Sequence, residues 1–176
     1  MQKALFLDRD GVINIDHAYV YQIDKFEFNN GIFELLKLFI AKGYVLFIVT
    51  NQSGIGRGYY SEDDFKILTN WMLKSLKEEG IEIASVHYCQ HAPEENCTCR
   101  KPKTGMVDAI LSQEKIDLKN SWLIGDKQSD IDLGINSKIG KRIAVGANGI
   151  KGATYTFKTI LECKLFLEEN EAIISA

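Results

Sequence analysis

The sequence predicts an α/β fold in which a mainly parallel sheet is flanked by helices. Short apolar runs typical of buried strands alternate along the chain with longer stretches of helical periodicity. Polar residues suited to chemistry recur where these strands end, at Asp8, Thr50, Cys89 and Asp126. Because ligands bind outside the carboxyl ends of the strands in open parallel sheets, the pattern predicts a functional site at that edge.

The composition favours one globular domain. The 176 residues are expected to form a single domain, 1–176, with 45% hydrophobic and 26% charged residues. A net charge of −3 and a pI near 5.7 argue against a general binder of nucleic acid or membrane surfaces. The first apolar run is too short for a signal peptide, and no run reaches the roughly 18 residues of a membrane span, so a cytoplasmic protein is expected. No long heptad pattern requires a dimer, and we expect a monomer.

The first elements follow from apolar spacing. Residues 4–7 form a short apolar run before Asp-Arg-Asp-Gly, as a buried strand meeting a loop does. Residues 31–42 carry apolar side chains at helical intervals, with Asn30 as the expected cap and Gly43 as the stop. Residues 44–49 are continuously apolar, which is typical of a parallel strand covered on both faces. The next five residues are expected to form a flexible polar loop.

In the middle of the chain, the sequence carries signals for the beginning and the end of one long helix. Ser61 with a carboxylate three residues later predicts a capping box and a helix to about residue 79, ended by Gly80. Residues 85–88 are expected to be the third strand. Residues 89–104 show little periodicity and predict a loop, and 105–115 predict a helix.

The last third continues the alternation. An apolar run at 122–124 predicts the fourth strand, followed by a helix near 129–137 and a strand at 142–145. Residues 154–157 predict a last short strand, and 158–169 a final amphipathic helix.

The motif Asp8-Arg9-Asp10-Gly11 places two carboxylates two residues apart directly after the first strand. One carboxylate can attack phosphorus to form an acyl phosphate, and the second can protonate the leaving oxygen and later take a proton from water. Gly11 allows a sharp turn that brings both carboxylates into one small volume. Taken alone, the tetrapeptide fits a solvated turn equally well, because Asp and Gly dominate turns.

Two further loops supply groups that can bind phosphate. Thr50, Asn51 and Gln52 offer a hydroxyl and two amides at the end of the second strand, suited to phosphoryl oxygens. Lys101 would neutralise a transferring phosphoryl group, and Arg100 could hold a second phosphate with two hydrogen bonds. By themselves, these residues also fit an ordinary turn and a solvated surface.

More carboxylates follow the fourth strand. A cluster of Asp8, Asp126 and a backbone carbonyl is the oxygen environment that Mg²⁺ prefers. The metal would hold the anionic nucleophile and the anionic phosphate together. Asp130 fits either a helix cap or a support for the metal ligands, and we favour the support.

The cysteines indicate a second metal. A C-x-H…C-x-C set is formed by Cys89, His91, Cys97 and Cys99. Three thiolates and one imidazole suit a closed tetrahedral zinc site, which is structural because no ligand position stays open. Zinc would stiffen the loop 89–104. The alternative is a group of reduced, unligated thiols, since disulfides are not expected in the cytosol.

Taken in order, these motifs resemble the haloacid-dehalogenase-like phosphatases: Asp-Arg-Asp-Gly, Thr-Asn-Gln-Ser-Gly-Ile, Arg-Lys-Pro-Lys and Gly-Asp-Lys-x-x-Asp. The resemblance covers the chain to about Gly149 and implies a Rossmann-like sheet. Val12 stands where the superfamily commonly has threonine, an apolar change of similar size. Many relatives close the site with a large cap, but here predicted loops, helices and strands fill the stretches between motifs. No large cap is therefore expected, and segments 12–28 and 89–104 would shape the pocket.

The chain most resembles the branch that removes the 7-phosphate of D-glycero-D-manno-heptose 1,7-bisphosphate. The pointers are the segments 14–20, 23–28 and 52–58. This resemblance implies a Mg²⁺-dependent phosphatase that leaves heptose 1-phosphate, in nucleotide-activated heptose biosynthesis for lipopolysaccharide core or a related surface glycan. The implied partner is a small-molecule sugar bisphosphate, with neither nucleic acid nor a membrane involved.

The resemblance also implies roles for single residues. Asp8 would be the nucleophile and Asp10 the general acid and base, while Thr50 and Lys101 would stabilise the phosphoryl group. Mg²⁺ would sit on Asp8, the Asp10 carbonyl and Asp126. The implied substrate-binding residues are Asp16, His17, Ala18, Tyr19, Thr50, Asn51, Gln52, Ser53, Arg100, Lys101 and Lys127.

Three alternatives remain open. The short segment between His91 and Cys97 also resembles the related histidinol-phosphate phosphatases, which share the catalytic residues and the zinc loop. A polynucleotide 3′-phosphatase is disfavoured because the chain lacks a basic excess. A zinc-stabilised binding module without activity is disfavoured because the catalytic carboxylates and the lysine are all present.

Overall fold

The computed structural model describes residues 1–146 and 148–175, which build a six-stranded, fully parallel sheet. The strands are β1 (Lys3–Leu7), β2 (Tyr44–Asn51), β3 (Ser85–Cys89), β4 (Trp122–Gly125), β5 (Lys141–Val145) and β6 (Tyr155–Phe157). They lie in the order β3-β2-β1-β4-β5-β6, so the strand order reverses between β1 and β4. The predicted parallel α/β sheet is confirmed, and the described residues contain no large cap.

Helices connect the strands. They are α1 (Ile32–Ala41), α2 (Ser53–Gly56), α3 (Glu62–Glu78), α4 (Gly105–Leu111), α5 (Gln128–Asn136), α6 (Ile160–Glu169) and α7 (Ala172–Ser175). Short 3-10 turns lie at Ile23–Lys25, Pro93–Glu95 and Leu118–Asn120. Within the described residues, none of these helices combines the length and the apolar character needed to cross a bilayer.

The sheet is covered on both faces, as the apolar runs predicted. Side chains alternate along β1, so Leu5 and Leu7 join one hydrophobic layer while Ala4 and Phe6 join the other. Helices α1, α3 and α6 bury their apolar stripes in the first layer, and α4 and α5 do so in the second. The layers hold the carboxyl ends of the strands in a fixed relative position.

Three predicted features differ in detail. Asn30 does not cap α1: the cap is Gly31, whose φ of 87° favours glycine and which makes no side-chain capping bond. Residues 50–54 were expected to form a flexible loop, but Thr50 and Asn51 extend β2, because they pair in register with β3. Ser53 and Gly54 begin the short helix α2. The helix expected over 105–115 ends at Leu111.

Candidate active site

A cavity of about 310 Å³ opens at the carboxyl edge of the sheet, beside the reversal of strand order. Asp8 follows β1 and Asp126 follows β4, the two strands that flank the reversal. Ligands bind at this place in open α/β sheets. The cavity is lined by Asp8, Asp10, Asp16, Ala18, Tyr19, Asn51, Gln52, Ser53, Gly54, Tyr60, Arg100, Lys101, Lys127, Ser129 and Asp130.

Asp8 and Lys101 form a buried ion pair at the cavity floor. Lys101 Nζ lies 2.9 Å from Asp8 Oδ1 and also donates to the Val49 carbonyl at 2.9 Å. Burial and the neighbouring Asp130 carboxylate raise the pKa of Asp8 to about 6, although Lys101 opposes the rise. Despite its burial, the two carboxylates keep the pKa of Lys101 above its ordinary value. The pair therefore places a fixed cation beside the predicted nucleophile.

Asp10 faces a different set of neighbours. Its Oδ1 accepts hydrogen bonds from Arg9 Nη2 at 2.9 Å and Asn14 Nδ2 at 3.0 Å, and its Oδ2 accepts one from Gln52 Nε2 at 3.0 Å. Burial alone would raise the pKa of Asp10, but the Arg9 charge and these bonds hold it below its ordinary value. Asp10 is therefore an ionised, well-oriented carboxylate in the structure.

Asp126 offers the strongest sign of a cation site. Its Oδ1 is buried and has no hydrogen-bond partner among the described residues. Burial and the Asp8 and Asp130 carboxylates raise the pKa of Asp126 to about 8. Carboxylate oxygens of these three aspartates lie within 4.8 Å of one another. This excess of oxygen ligands and negative charge fits Mg²⁺.

Gly11 makes the approach of Asp126 possible. Its φ of 89° lies in the region that favours glycine, and a Cβ at this position would lie 2.1 Å from Asp126 Oδ2. The glycine that sequence spacing assigned to a sharp turn thus also leaves room for the second carboxylate.

Asp130 combines the two roles considered for it. As the third residue of α5, its Oδ2 accepts from the backbone N–H groups of Asp126 and Lys127, both at 3.1 Å. Its Oδ1 lies 2.6 Å from Lys101 Nζ. Asp130 therefore caps the helix and also fixes the lysine and the loop that carries Asp126.

The rim of the cavity comes from the segment after β1. Asp16 Oδ1 accepts from the Ala18 N–H at 3.0 Å, and Asp16 Oδ2 lies 3.7 Å from Lys127 Nζ across the opening. Ala18 and Tyr19 both have positive φ, and the Tyr19 ring packs edge-on against Tyr59. His17, predicted to bind substrate, is exposed and does not line the cavity.

The polar side chains at the end of β2 make different contacts. Asn51 Oδ1 accepts from the Lys101 backbone N–H at 3.0 Å, so this side chain ties the Arg100–Lys101 loop to β2 while lining the cavity. Thr50, predicted to bind the phosphoryl group, is fully buried and is not among the residues that line the cavity. Its Oγ1 accepts from Gln52 Nε2 at 2.9 Å. Arg100 Nη1 is buried without a partner among the described residues.

Sequence reasoning missed several lining residues, chiefly Tyr60, Gly54 and Ser129. Gly54 and Tyr60 lie within and just after the segment 52–58, which the resemblance had marked without assigning contacts. The buried Arg9, which pairs with Asp10, was also missed. The signal available for Arg9 was its place between two aspartates, where a buried cation balances charge.

The four predicted zinc ligands converge beside this site, after β3. His91 Nδ1 lies 3.5 Å from Cys89 Sγ and 3.2 Å from Cys99 Sγ, and Cys89 Sγ lies 3.5 Å from Cys97 Sγ. Cys99 Sγ lies 2.8 Å from Cys89 Sγ. Ligands about 2.3 Å from one tetrahedral zinc lie roughly 3.7 Å apart, so three of these separations are near those of a zinc-bound set and the fourth is shorter. Although burial opposes it, hydrogen bonds led by the Arg100 backbone N–H lower the pKa of Cys97 to about 6, whereas burial raises the pKa values of Cys89 and Cys99. The zinc prediction therefore rests on the convergence of the four side chains and not on the thiol pKa values.

Comparison with known proteins gives consistent matches. A family model described as polynucleotide kinase 3 phosphatase matches residues 7–143. A Campylobacter jejuni protein named D-glycero-alpha-D-manno-heptose-1,7-bisphosphate 7-phosphatase is 49% identical over 170 residues, covering 96% of this chain and 98% of its own. A Helicobacter pylori protein bearing the corresponding beta name is 48% identical over 172 residues, covering 97% of each chain.

A solved structure agrees with these matches. The D,D-heptose 1,7-bisphosphate phosphatase from B. bronchiseptica, complexed with magnesium and phosphate, superposes with a TM-score of 0.82 at 25% identity. The superposition covers 96% of this chain and 99% of that one. A Burkholderia thailandensis D,D-heptose 1,7-bisphosphate phosphatase, at 22% identity and a TM-score of 0.67, shares the fold.

Proposed function

Since the chain belongs to the heptose 1,7-bisphosphate 7-phosphatases of the haloacid-dehalogenase-like superfamily, we propose that it hydrolyses D-glycero-D-manno-heptose 1,7-bisphosphate to heptose 1-phosphate. The reaction would pass through an aspartyl-phosphate on Asp8. The observation that carries this proposal is the buried pair of Asp8 and Lys101, 2.9 Å apart, at the floor of the cavity beside the strand-order reversal. An ionised Asp8 carboxylate at this position can receive a phosphoryl group, and the Lys101 cation beside it can stabilise the charge of that group.

In the first half of the reaction, an Asp8 oxygen attacks phosphorus while the bond from phosphorus to the sugar O7 breaks. Lys101 stabilises the negative charge on the transferring group, and Asp130 holds Lys101 in place. Thr50 accepts from Gln52, which leaves its own O–H free to donate to a phosphoryl oxygen. These groups are fixed before substrate binds, so they need little reorganisation in the transition state.

Asp10 would act first as the general acid and then as the general base. It donates a proton to O7 as the leaving group departs, and later takes one from the water that attacks phosphorus and releases Asp8. Its hydrogen bonds favour the ionised form in the structure. A bound phosphoryl dianion nearby would raise the pKa of Asp10 and favour the protonated acid. The same carboxylate can therefore serve as acid with substrate present and as base afterwards.

Asp8, Asp126 and the Asp10 carbonyl would hold Mg²⁺. The orphaned Asp126 Oδ1 and the close approach allowed by Gly11 support this ligand set. When bound, the ion neutralises charge on the nucleophile and the phosphoryl group. Asp130 belongs to the same cluster, but its two oxygens are already engaged by Lys101 and the backbone.

Zinc would be structural. Cys89, His91, Cys97 and Cys99 supply four ligands and leave no open position. The last ligand is followed directly by Arg100 and Lys101 along the chain. A rigid zinc loop would therefore hold the substrate-recognising arginine and the catalytic lysine at a fixed place beside β2.

The second phosphate would be recognised by Arg100. Its unpartnered Nη1 and its place in the cavity lining suit a phosphate at the far end of the sugar. We place the reaction in the cytoplasm, in nucleotide-activated heptose biosynthesis, with the chain acting as a monomer on a small molecule. The net charge of −3 supports a small-molecule partner and argues against binding to nucleic acid or a membrane.

The test is the identity of the product. Both anomers of heptose 1,7-bisphosphate should be incubated with the protein and Mg²⁺ and followed by 31P NMR, since relatives carry names with either anomer. We expect the 7-phosphate signal to be replaced by inorganic phosphate while the 1-phosphate signal persists. Loss of the 1-phosphate, or no reaction with either anomer, would refute the proposal.

A further inference from the structure

Tyr60, which lies outside the recognisable motifs, is joined to the Asp10 carboxylate through one amide side chain. Its hydroxyl donates to Gln52 Oε1 at 2.5 Å, and Gln52 Nε2 donates to Asp10 Oδ2 at 3.0 Å. The second N–H of that amide points to Thr50 Oγ1, 2.9 Å away. The Gln52 side chain thus has partners for its oxygen and for both of its N–H groups.

The two oxygens of Asp10 are held unequally. Oδ1 accepts from Arg9 and Asn14, whereas Gln52 is the only hydrogen-bond partner of Oδ2 among the described residues. Oδ2 is therefore the oxygen with capacity left for a proton. The orientation of Asp10 Oδ2 in the cavity depends on its hydrogen bond from the Gln52 amide. The orientation of that amide depends in turn on the Tyr60 hydroxyl, which donates to Gln52 Oε1. Without the Tyr60 hydroxyl, the 3% exposed Gln52 would have an unpaired carbonyl oxygen and would move.

The position of Tyr60 is built into the fold. Its ring is 7% exposed and stacks on Tyr21, with centroids 5.2 Å apart and planes 8° from parallel. Gly54 lies against the ring, and a Cβ there would be 2.2 Å from Tyr60 Cε1. Burial raises the pKa of Tyr60 to about 12, so the hydroxyl keeps its proton and remains a donor.

We propose that Tyr60 is a positioning residue that, through Gln52, aims Asp10 Oδ2 at the leaving-group oxygen. The proton on Oδ2 passes to O7 as the O7–phosphorus bond breaks and the bond from phosphorus to Asp8 forms. The inference rests on the proposed function, because it needs Asp10 to act as the general acid. It extends that function by placing a residue outside the catalytic motifs in control of proton transfer.

The experiment compares Tyr60→Phe with the wild type on two substrates. The quantity is kcat/KM, which covers the steps up to leaving-group departure. Heptose bisphosphate has an alkoxide leaving group that needs a proton, whereas p-nitrophenyl phosphate has one that is stable as an anion. We expect Tyr60→Phe to lower kcat/KM about tenfold for the sugar substrate and less than twofold for the aryl phosphate.

The matched control is Tyr21→Phe. It removes a hydroxyl from the ring stacked on Tyr60, and that hydroxyl has no hydrogen-bond partner among the described residues. This variant should keep both kcat/KM values, and thermal melting should show that both variants are folded. An equal loss on the two substrates, or no loss on either, would overturn the inference while leaving the proposed function intact. A wild type that hydrolyses neither substrate would overturn both.

A double-mutant comparison tests the route through the amide. Gln52→Met removes the connecting group, so Tyr60→Phe added to it should change the sugar kcat/KM less than twofold further. If the two losses instead multiply, Tyr60 does not act through Gln52 and the inference fails.

Discussion

Asp8 and Asp10 are two residues apart in the sequence, but different cations face their carboxylates. Arg9 faces Asp10 alone, whereas Lys101 is shared between Asp8 and Asp130. Burial and the Asp130 carboxylate raise the pKa of Asp8 to about 6 against the effect of Lys101, whereas Arg9 lowers the pKa of Asp10 despite its burial. A divalent cation beside Asp8 would offset this negative charge, lower the pKa of Asp8 and favour the ionised form of the proposed nucleophile further.

Gly11→Ala tests the packing behind the proposed metal site. The added methyl would meet Asp126 Oδ2 and the residue would keep a φ of 89°, so we expect apparent Mg²⁺ affinity to fall roughly 10- to 100-fold. The free energy of unfolding should also fall by about 1 kcal/mol or more because of the backbone. Phosphate release titrated with Mg²⁺, together with thermal melting, measures both effects.

Gly43→Ala is the matched control. Gly43 has a φ of 83° but no atom within 4 Å of its added Cβ. It should share the loss of stability and keep the Mg²⁺ dependence of the wild type. An unchanged Mg²⁺ dependence in Gly11→Ala would contradict the ligand set.

Sequence reasoning located those residues whose chemistry follows from spacing along the chain. The carboxylates of Asp8 and Asp126 converge as expected, because the parallel strands β1 and β4 end at one edge. The link from Tyr60 to Asp10 could not be predicted, since it depends on how one ring packs against Gly54 and Tyr21. For the same reason, the contact of Asn51 with the Lys101 backbone had no sequence signal.

At the scale of elements, local chemistry predicted some helix boundaries correctly and others incorrectly. The capping box of α3 is confirmed: Asp64 N–H donates to Ser61 Oγ at 3.0 Å, and Ser61 N–H donates to Asp64 Oδ2 at 2.9 Å. The proposed Asn30 cap was wrong because α1 begins one residue later, with Gly31 at the cap position in a left-handed conformation and without a side-chain capping bond. Helix α4 ends at Leu111, and the following Ser112, whose Oγ donates to the Ala109 carbonyl at 2.7 Å, is its C-cap.

Ser61→Ala should destabilise the protein by about 1 kcal/mol, because it removes the side-chain acceptor for the Asp64 N–H. Denaturant unfolding measures the change. Ser75→Ala, in the interior of the same helix, is the control and should change stability by less than about 0.5 kcal/mol. Equal effects of the two substitutions would show that the cap contributes nothing specific.

Cys97→Ser tests the zinc loop. We expect the zinc content of the purified protein to fall from about one ion per chain to near zero, and the melting temperature to fall by roughly 10 °C. Elemental analysis and thermal melting give the two numbers. Cys163→Ala, in the hydrophobic core, is the control and should keep the zinc. Zinc-free wild-type protein, or full zinc content in Cys97→Ser, would contradict the assignment.

For the whole molecule, the absence of a large cap in the described residues leaves the pocket to short segments. The rim comes from Asp16, Ala18 and Tyr19 after β1 and from Tyr60 before α3, while Arg100 enters from the cysteine-rich loop. A cavity of about 310 Å³ is at the small end of ligand pockets and suits a sugar phosphate. Specificity should therefore depend on these few side chains.

The measurement that tests the central claim most directly is a comparison of kcat/KM, with Mg²⁺, for heptose 1,7-bisphosphate, histidinol phosphate and a 3′-phosphorylated oligonucleotide. Asp8→Asn serves as the control expected to be inactive, since it removes the proposed nucleophile. We predict that kcat/KM for one anomer of the bisphosphate exceeds kcat/KM for histidinol phosphate and for the oligonucleotide by at least about 100-fold. We also predict that Asp8→Asn abolishes turnover of the bisphosphate. A preference for histidinol phosphate or the oligonucleotide, or full activity in Asp8→Asn, would contradict the account.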